Sequence, residues 1–544
     1  MWSRTLEDIG YRDGVSMAVG EDKLTVFWAV PVPARAGHGL LTLQLATFRG
    51  PTPATAAVLV DGTPVAALDL PAGAGTQALT LELPAKALAD GIVRLDIVPP
   101  ATQTCTDGPH ITALPQSALT LDVVPPPSLE ARLALLPHRV ALALPHGPLS
   151  QETYRNVAVI AAALARDGHR VVFRAPVTAG ADIRLTAAGT ALAATDDGPL
   201  VIPATRLIAE TIAAPHTSPL PVDDTPDPAI ALTALSVLPA AQMAAPRATW
   251  TFALPLAALP PGLWPRAVMA DVTAPVDGTG ARQALTLEIN DQLVASTLLP
   301  IGGDARRVTL PIPRGALNAT NTMRLTLTRV GLDKLCAQSP LPVSLGPGAL
   351  VTLGTGAAAP EQFFELAHGP EAGAALWLTP EALTDPTASL PLVLALMTHT
   401  VRDLRALTLH LTSEGFAASD APFLYLGPDA PPGLGALMLP DHAPDATFAV
   451  LVEIEGITGI WLRPGADAPA HMPALERGRF ATLNAAGDLV WSNGSLTTRR
   501  LVLSAQSEEL ARFVKRYWPW TAALLWLAAT GGTLIAVARR RKDP

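Results

Sequence analysis

The sequence predicts a multidomain chain in which two β-sandwiches alternate with two α/β domains, followed by one C-terminal transmembrane helix. Three observations predict this order. Strand-like blocks occur twice, about 224 to 231 residues apart. Each copy is followed by a buried-type strand, a helix and a second strand, and residues 519–538 carry no charge.

The repeat consists of paired blocks of alternating apolar and polar residues, which is the period of a half-buried strand. The pairs are TLEDIGY (5–11) with ALTALSV (231–237), LTVFWAVPVPA (24–34) with ATWTFALPLAA (248–258), VLVDGTPVAALDL (58–70) with LEINDQLVASTLL (287–299), and 80–98 with 309–328. Asp61-Gly62 is a hairpin signal between two apolar runs. Many short strands in about 120 residues predict an antiparallel β-sandwich over 1–128 and another over 223–355.

The pattern changes between the copies. RVALALP (139–145) is typical of a buried strand, Ser150 is a suitable N-cap for a helix over 151–168, and HRVVFR (169–174) is the next strand. This succession predicts a βαβ unit with a parallel sheet, in a domain over 129–222.

The same succession follows the second copy. AALWLT (374–379) and FLYLGP (423–428) are strands, and 390–404 is the helix between them. We therefore expect a second α/β domain over 356–503.

The C-terminal segment 518–544 predicts a membrane anchor. Its 20 uncharged residues, 519–538, cover the ~30 Å hydrocarbon core at ~1.5 Å per residue. Aromatic residues lie at one end, and a basic group that the positive-inside rule places in the cytoplasm lies at the other. The basic residues are Arg539, Arg540, Arg541 and Lys542.

This orientation predicts a single-pass protein of the cell inner membrane with a periplasmic body and a cytoplasmic C-terminus. MWSRTLEDIGYRDGV lacks the apolar run of a signal peptide. We expect it to be a mature end or to follow from a misassigned start codon, rather than to indicate a cytoplasmic body.

An amphipathic helix is predicted over 504–517. Its apolar face holds Leu510, Phe513, Val514 and Tyr517, which suits a membrane interface. Packing on the second α/β domain is the alternative, and both hold if different faces are used.

Within the anchor, Gly531 and Gly532 give a small-residue surface on which another helix can pack. Small residues that merely line lipid are the alternative.

Composition excludes several functions. A net charge of −9 argues against a nucleic-acid partner, and the 11 histidines form no HxH or HExxH motif for a metal. Gly354-Thr355-Gly356 is followed by Pro360 rather than by a helix, which favours a linker over a dinucleotide site. No cofactor is expected. The two cysteines, Cys105 and Cys336, form either a disulfide between the sandwiches or two free thiols.

No catalytic constellation is evident. Glu453 and Glu455 have the i, i+2 spacing of a strand face, within the range of glycosidase carboxylates, but an ordinary half-exposed strand gives the same pattern. Trp28, Trp250 and Trp264 are predicted sugar contacts by ring stacking, with core packing as the alternative.

The chain resembles the periplasmic B subunit of bacterial cellulose synthase, a family also named for cyclic di-GMP binding. The resemblance covers nearly the whole chain by architecture. It is carried by Thr5-Leu6 and Ala231-Leu232, the repeated blocks, Cys105 and Cys336 late in each repeat, LPHGPLSQETYRNVAVIAAALARDGHRVVFR, and the helix and anchor over 504–538.

The resemblance implies two jelly-roll sandwiches of carbohydrate-binding type and two flavodoxin-like α/β domains. It implies a noncatalytic subunit that docks on the membrane-embedded glucosyltransferase, is required for its activity and guides the nascent β-1,4-glucan. Direct cyclic di-GMP binding is not expected, because no RxxxR element lies on the cytoplasmic side beyond the short tail. The alternative function is an anchored periplasmic polysaccharide-modifying enzyme, either a hydrolase or a deacetylase.

Overall fold

The computed structural model describes most of the chain up to residue 500. The described residues are 2–9, 11, 13–17, 23–31, 36–49, 54–70, 72–89, 91–99, 110–123, 128–175, 181–186, 199–214, 220–222, 228–235, 241–244, 247–276, 281–300, 306–330, 341–356, 359–369, 373–417, 421–435, 447–465, 473–483, 489–492 and 498–500. Cys105, Cys336, the helix predicted over 504–517 and the segment 518–544 lie outside them. None of the helices within these ranges has the length and apolar character needed to span a bilayer.

The first region is a β-sandwich of ten strands. They are β1 (Trp2–Thr5), β2 (Val15–Ser16), β3 (Leu24–Ala29), β4 (Ala36–Arg49), β5 (Ala54–Val60), β6 (Thr63–Leu70), β7 (Gly73–Pro84), β8 (Ile92–Val98), β9 (His110–Ala113) and β10 (Ala118–Val123), with helix α1 (Ala85–Leu88) after β7. One sheet has the order β1-β10-β4-β9-β2 with β7 also paired to β4, and the other has the order β3-β8-β5-β6. Alternate residues of both sheets, such as Trp28, Leu43 and Leu95, fill the core between them.

The second region is an α/β unit. Its elements are α2 (Leu129–Ala134), β11 (Arg139–Ala143), α3 (Gln151–Arg166), β12 (Arg170–Arg174), β13 (Ile183–Thr186), β14 (Leu200–Pro203) and α4 (Arg206–Ile212). The strands are parallel in the order β12-β11-β13-β14. Helix α3 begins as the sequence predicts, because the Ser150 hydroxyl accepts a 3.2 Å hydrogen bond from the Thr153 amide.

The third region is a second β-sandwich with ten strands. They are β15 (Ala229–Ala231), β16 (Ala241–Ala244), β17 (Arg247–Pro255), β18 (Leu263–Thr273), β19 (Arg282–Ile289), β20 (Gln292–Leu298), β21 (Arg306–Pro311), β22 (Thr320–Val330), β23 (Leu341–Leu345) and β24 (Leu350–Thr355). Short 3₁₀ turns occupy Leu232–Ala234, Leu256–Ala258 and Arg314–Ala316. The sheet orders are β15-β24-β18-β23-β16 with β21 on β18, and β17-β22-β19-β20.

Strand for strand, these orders repeat those of the first sandwich, so the predicted duplicated β-sandwich is confirmed. The finest match is one hairpin. A bulge follows Val58 and Leu287, and the turn residues Asp61 and Asn290 have φ angles of 49° and 52°. Their side chains accept hydrogen bonds of 3.0 Å and 3.1 Å from the amides of Arg94 and Thr322. Equivalent residues around this hairpin are therefore 229 positions apart, from 61 to 290.

The predicted alignment of the block 24–34 with 248–258 is wrong by two residues. Leu24 lies opposite Ile97, and Trp250 lies opposite Leu325, which is the equivalent of Ile97 when the hairpins are matched. Trp28 is therefore not the counterpart of Trp250.

The fourth region is another α/β unit. Its elements are a 3₁₀ helix (Phe363–His368), β25 (Ala375–Leu378), α5 (Glu381–Thr384), α6 (Pro386–Met397), 3₁₀ turns at Leu404–Ala406 and Thr412–Glu414, β26 (Thr408–Leu411), β27 (Phe423–Leu426), β28 (Phe448–Ile454), β29 (Ile457–Arg463), β30 (Phe480–Leu483), β31 (Leu489–Ser492) and β32 (Thr498–Arg500). The sheet order is β26-β25-β27-β29-β28-β30-β31-β32. The first four strands in this order are parallel. When these four alone are numbered along the chain, they repeat the 2-1-3-4 order of the first unit, which is a doubly wound pattern.

The helix predicted over 390–404 occupies Pro386–Met397 instead. It starts earlier because the Asp385 carboxylate accepts from the Ala388 amide and Pro386 fits the first helical turn. Near its end, Arg166 of α3 donates hydrogen bonds to the carbonyls of Thr398, at 2.8 Å, and Val401.

The two α/β units share one hydrophobic core, which contains both α3 and α6. The Tyr154 hydroxyl donates to Ser389 at 2.8 Å, and Arg155 Nε donates to the Leu407 carbonyl at 2.8 Å. Burial lowers the pKa of Arg166 to about 10. The regions predicted over 129–222 and 356–503 are thus packed as one body, the α/β body.

Candidate functional site

The three tryptophans predicted to contact sugar all lie in the sandwich cores. Trp28 is fully buried, Trp250 is 1% exposed and Trp264 is 6% exposed. In β3 the period-two alternation points Val26 and Trp28 inward together. The three rings present no open face, which agrees with the core-packing alternative. Sugar contact by these residues stays a prediction.

Trp264 lies at the junction of the second sandwich with the α/β body. The Arg314 guanidinium lies 4.9 Å from the centroid of the Trp264 ring on one side, and the His368 ring contacts it edge-on at 5.2 Å. The turn at Gly356 passes so close that a Cβ there would overlap Nε1 of Trp264. These contacts give Trp264 a structural place between two regions.

A buried ion pair holds the same junction. Arg314 donates from Nε at 2.8 Å and from Nη2 at 2.5 Å to the two oxygens of Glu365, whose side chain is 1% exposed. The carboxylate also accepts from the amide of Glu361 at 2.6 Å. The Glu365 charge is therefore bound by a two-point guanidinium contact and by backbone N–H groups.

Other groups reinforce this contact. The Ala319 amide donates to Glu476 at 3.0 Å, Arg402 donates to the Leu259 carbonyl at 2.6 Å, and Arg477 donates to Asn318. Burial lowers the pKa of His368 to about 4, with a smaller contribution from the nearby Arg402 charge. His368 is therefore neutral at neutral pH.

The prediction that Glu453 and Glu455 share one strand face is wrong. Ile454 pairs with Ile457, so Glu455 and Gly456 are the two turn residues of the β28–β29 hairpin. Their φ angles are 53° and 81°, as a two-residue turn of this hand requires. Within the described ranges, no three His, Cys, Asp or Glu side chains come together as a metal site.

One sheet of each sandwich, β3-β8-β5-β6 and β17-β22-β19-β20, carries an ionic cluster on its outer face. In the first sandwich Asp96, with a side chain 5% exposed, lies 3.0 Å from Arg94 and 3.5 Å from Lys23. In the second sandwich Arg324 lies 2.9 Å from Glu288 and 3.3 Å from Asp291. The outer face of the sheet β3-β8-β5-β6 is the candidate functional surface, because it combines this cluster with an exposed aromatic ring.

Sequence reasoning missed that ring, Phe27. The signal was present, since in TVFWA the inward positions Val26 and Trp28 force Phe27 to the outer face. The predicted membrane-facing and anchor residues, by contrast, lie outside the described ranges, and their contacts stay predictions.

No family model and no curated protein matches the chain. Among solved structures, it is similar to a carbohydrate-binding module CBM36 in complex with calcium and xylotriose, at 11% identity over 22% of this chain and 89% of that chain, with a TM-score of 0.14. The tandem CBM22 domains of Paenibacillus barcinonensis Xyn10C match at 11% identity over 62% of this chain and 85% of theirs, with a TM-score of 0.14.

A family two carbohydrate esterase from Clostridium thermocellum in complex with cellohexaose matches at 14% identity over 34% of this chain and 63% of that one, with a TM-score of 0.13. Likenesses at these TM-scores carry no argument about this chain. The β-sandwich assignment rests on the strand pairings described above.

Proposed function

We propose that the chain is a noncatalytic, membrane-anchored periplasmic subunit of a bacterial cellulose synthase. In this role it supports the glucosyltransferase subunit at the inner membrane, and its periplasmic body guides the nascent β-1,4-glucan. The observation that carries the proposal is the order of modules: sandwich, α/β unit, sandwich, α/β unit, with matching strand orders in each pair. This order agrees with the architecture of the family that the sequence resembles.

The joined core supports a scaffold role. Because α3 and α6 share one core and Arg314 ties the second sandwich to Glu365, these regions form a continuous support. A scaffold that must hold a polymer path open needs such fixed geometry between its modules.

Copurification tests the partner. The tagged full chain is expressed in its native cells and extracted from the membrane in mild detergent. It is expected to copurify with a multispan glycosyltransferase, which mass spectrometry identifies. A chain ending at residue 503 is the matched control, and it should lose the partner. Recovery of the full chain without any glycosyltransferase would overturn the proposal.

Synthesis in vesicles tests the role. Vesicles with both subunits are expected to convert UDP-glucose into cellulase-sensitive polymer, whereas vesicles with the glucosyltransferase alone should not. Phe513→Glu places a carboxylate on the predicted interface face and should abolish synthesis. Replacing Gly531 and Gly532 with Leu should weaken it by disturbing helix packing. Equal synthesis without this chain would contradict the requirement.

A further inference from the structure

Few aromatic rings are exposed in the part of the chain that the structure describes. Among the side chains that the structure describes, the exposed aromatic ones are Tyr11, at 40%, and Phe27, at 38%. Both belong to the first sandwich. Ring stacking on a sugar requires an accessible face, so the described surface offers it there and not on the second sandwich.

Phe27 lies at the centre of a small mixed surface on the outer side of β3 and β8. It lies directly opposite Arg94, and the adjacent outward pair is Ala29 with Ile92, which is 42% exposed. The outward pair on the other side is Thr25 with Asp96. We call these six residues, together with Lys23, which lies 3.5 Å from Asp96, the Phe27 surface. It places an apolar strip beside a polar strip on one face of the sheet.

The polar strip carries two cations, Arg94 and Lys23, against one carboxylate, Asp96, so one positive charge is not offset within it. Asp96 accepts 2.6 Å and 3.3 Å hydrogen bonds from Thr25 Oγ1 and Arg94 Nε, and its other oxygen lies 3.5 Å from Lys23 Nζ. The Arg94 and Lys23 side chains remain 41% and 35% exposed. They keep N–H donors toward solvent, and Asp96 offsets one of their two charges.

The second sandwich lacks this combination at the equivalent positions. By the hairpin match, Ala253 stands for Phe27, Thr322 for Arg94 and Arg324 for Asp96. Its exposed apolar residues, such as Leu293 and Leu298, are aliphatic. The two copies thus share the scaffold, and among the described residues the exposed ring lies in the first copy.

We infer that the Phe27 surface binds a neutral β-linked glucan, with the sugar ring stacked on Phe27 and its hydroxyls bonded to Arg94 and Lys23. This inference rests on the proposed function for the identity of the glycan. Asp96 offsets one of the two cations, so the surface attracts an anionic partner less strongly than two unpaired cations would. A protein partner needs ~800 Å² on each side and several apolar anchors, whereas the apolar strip here consists of Phe27, Ala29 and Ile92.

The test uses the full chain in detergent and measures binding of cellohexaose by calorimetry and of hydroxyethyl cellulose by affinity electrophoresis. Phe27→Ala is expected to weaken binding about fivefold, the loss of one stacking contact. Phe27→Trp should keep or strengthen binding. Leu298→Ala, at an exposed aliphatic site of the other sandwich, is the matched control and should bind like the parent chain.

Equal binding by Phe27→Ala and the parent chain would overturn the inference, as would an equal loss in Leu298→Ala or no glucan binding by the parent chain. A parent chain that binds an acidic or basic protein at this surface instead of glucan would also overturn it. Copurification of Phe27→Ala with the glycosyltransferase is scored separately. If neither the parent chain nor the variant copurifies with the glycosyltransferase, the proposed function is contradicted. The glucan-binding measurements alone test whether the Phe27 surface binds glucan.

Discussion

The two sandwiches have the same strand order but opposite charges at the same position. Asp96 of the first sandwich and Arg324 of the second occupy equivalent places beside the conserved hairpin bulge. Asp96 is surrounded by Lys23 and Arg94, and Arg324 by Glu288 and Asp291. The strand register determines the position of the central charged residue. The residues around that position carry charges of the opposite sign in each sandwich. Outer faces can therefore diverge without altering the fold.

Their attachment differs as well. The second sandwich joins the α/β body through the buried Arg314–Glu365 pair and the Trp264 contacts. The first sandwich contacts that body through Arg4, whose Nη2 donates to the Leu136 carbonyl at 3.2 Å. The copy with the exposed Phe27 is thus not the copy with the buried ionic junction.

The largest expected effect comes from breaking that junction. Glu365→Ala removes a carboxylate with a 1% exposed side chain, which leaves the Arg314 guanidinium without its countercharge and the Glu361 amide without its acceptor. We expect a loss of about 3 kcal/mol in the free energy of unfolding, measured by urea denaturation. Glu361→Ala, which changes an exposed residue of the same turn, should stay within about 0.5 kcal/mol. A similar loss in both variants would contradict the role of the ion pair.

The next effect is a pH dependence at the same junction. Because the pKa of His368 falls from 6.5 to about 4, the folded state binds this proton more weakly than the unfolded chain does. Its contribution is complete above pH 6.5 and is lost as the pH falls toward 4. At pH 5 the loss amounts to about 2 kcal/mol.

The measurement compares urea unfolding at pH 7.5 and pH 5 for the parent chain and for His368→Phe. The variant should lose about 2 kcal/mol less between the two pH values. His169 and His399, whose pKa values are also lowered by burial, remain in both proteins and cancel in the comparison. An unchanged pH dependence would show that His368 protonates without opening the junction.

The last prediction compares how much the charged cluster of each sandwich contributes to the free energy of unfolding. Asp96→Ala should cost about 2 kcal/mol, because the carboxylate is nearly buried and accepts from Thr25 and Arg94. Glu288→Ala should cost about 0.5 kcal/mol, since that side chain is 33% exposed and Arg324 keeps Asp291. Equal losses by thermal or urea unfolding would mean that the two clusters are energetically alike.

Local signals in the sequence predicted the elements well. The repeat blocks gave both sandwiches, and Ser150 gave the start of α3. Signals for the missed features were also present: Glu455-Gly456 is a turn dipeptide, and Asp385-Pro386 is a cap followed by a favoured first-turn proline.

Long-range contacts explain most of the remaining differences. Helix α6 ends where Arg166, about 230 residues earlier, donates to the carbonyls of Met397 and Thr398. The shared core was hinted at by the apolar run AVIAAALA in α3, since a helix that is apolar all round is buried on all sides. The helix that packs against α3, which is α6, could not be inferred from residue spacing. The two helices belong to different α/β units, and spacing reports only on contacts within one segment. The burial of Trp264 also depends on long-range contacts, because Arg314 and His368, which cover its ring, belong to other segments of the chain.

The shared core of the α/β body also imposes an order in time. Tyr154 and Ser389, which are hydrogen-bonded across it, are 235 residues apart, and the whole second sandwich lies between them. At a synthesis rate of about 5–20 residues per second, α3 is made roughly 12–47 s before its partner residue exists. During that interval α3 can pack against β12 and α4 of its own unit, but the surface that contacts α6 lacks its partner. A chain of this design must keep its first α/β unit from aggregating until the second one arrives.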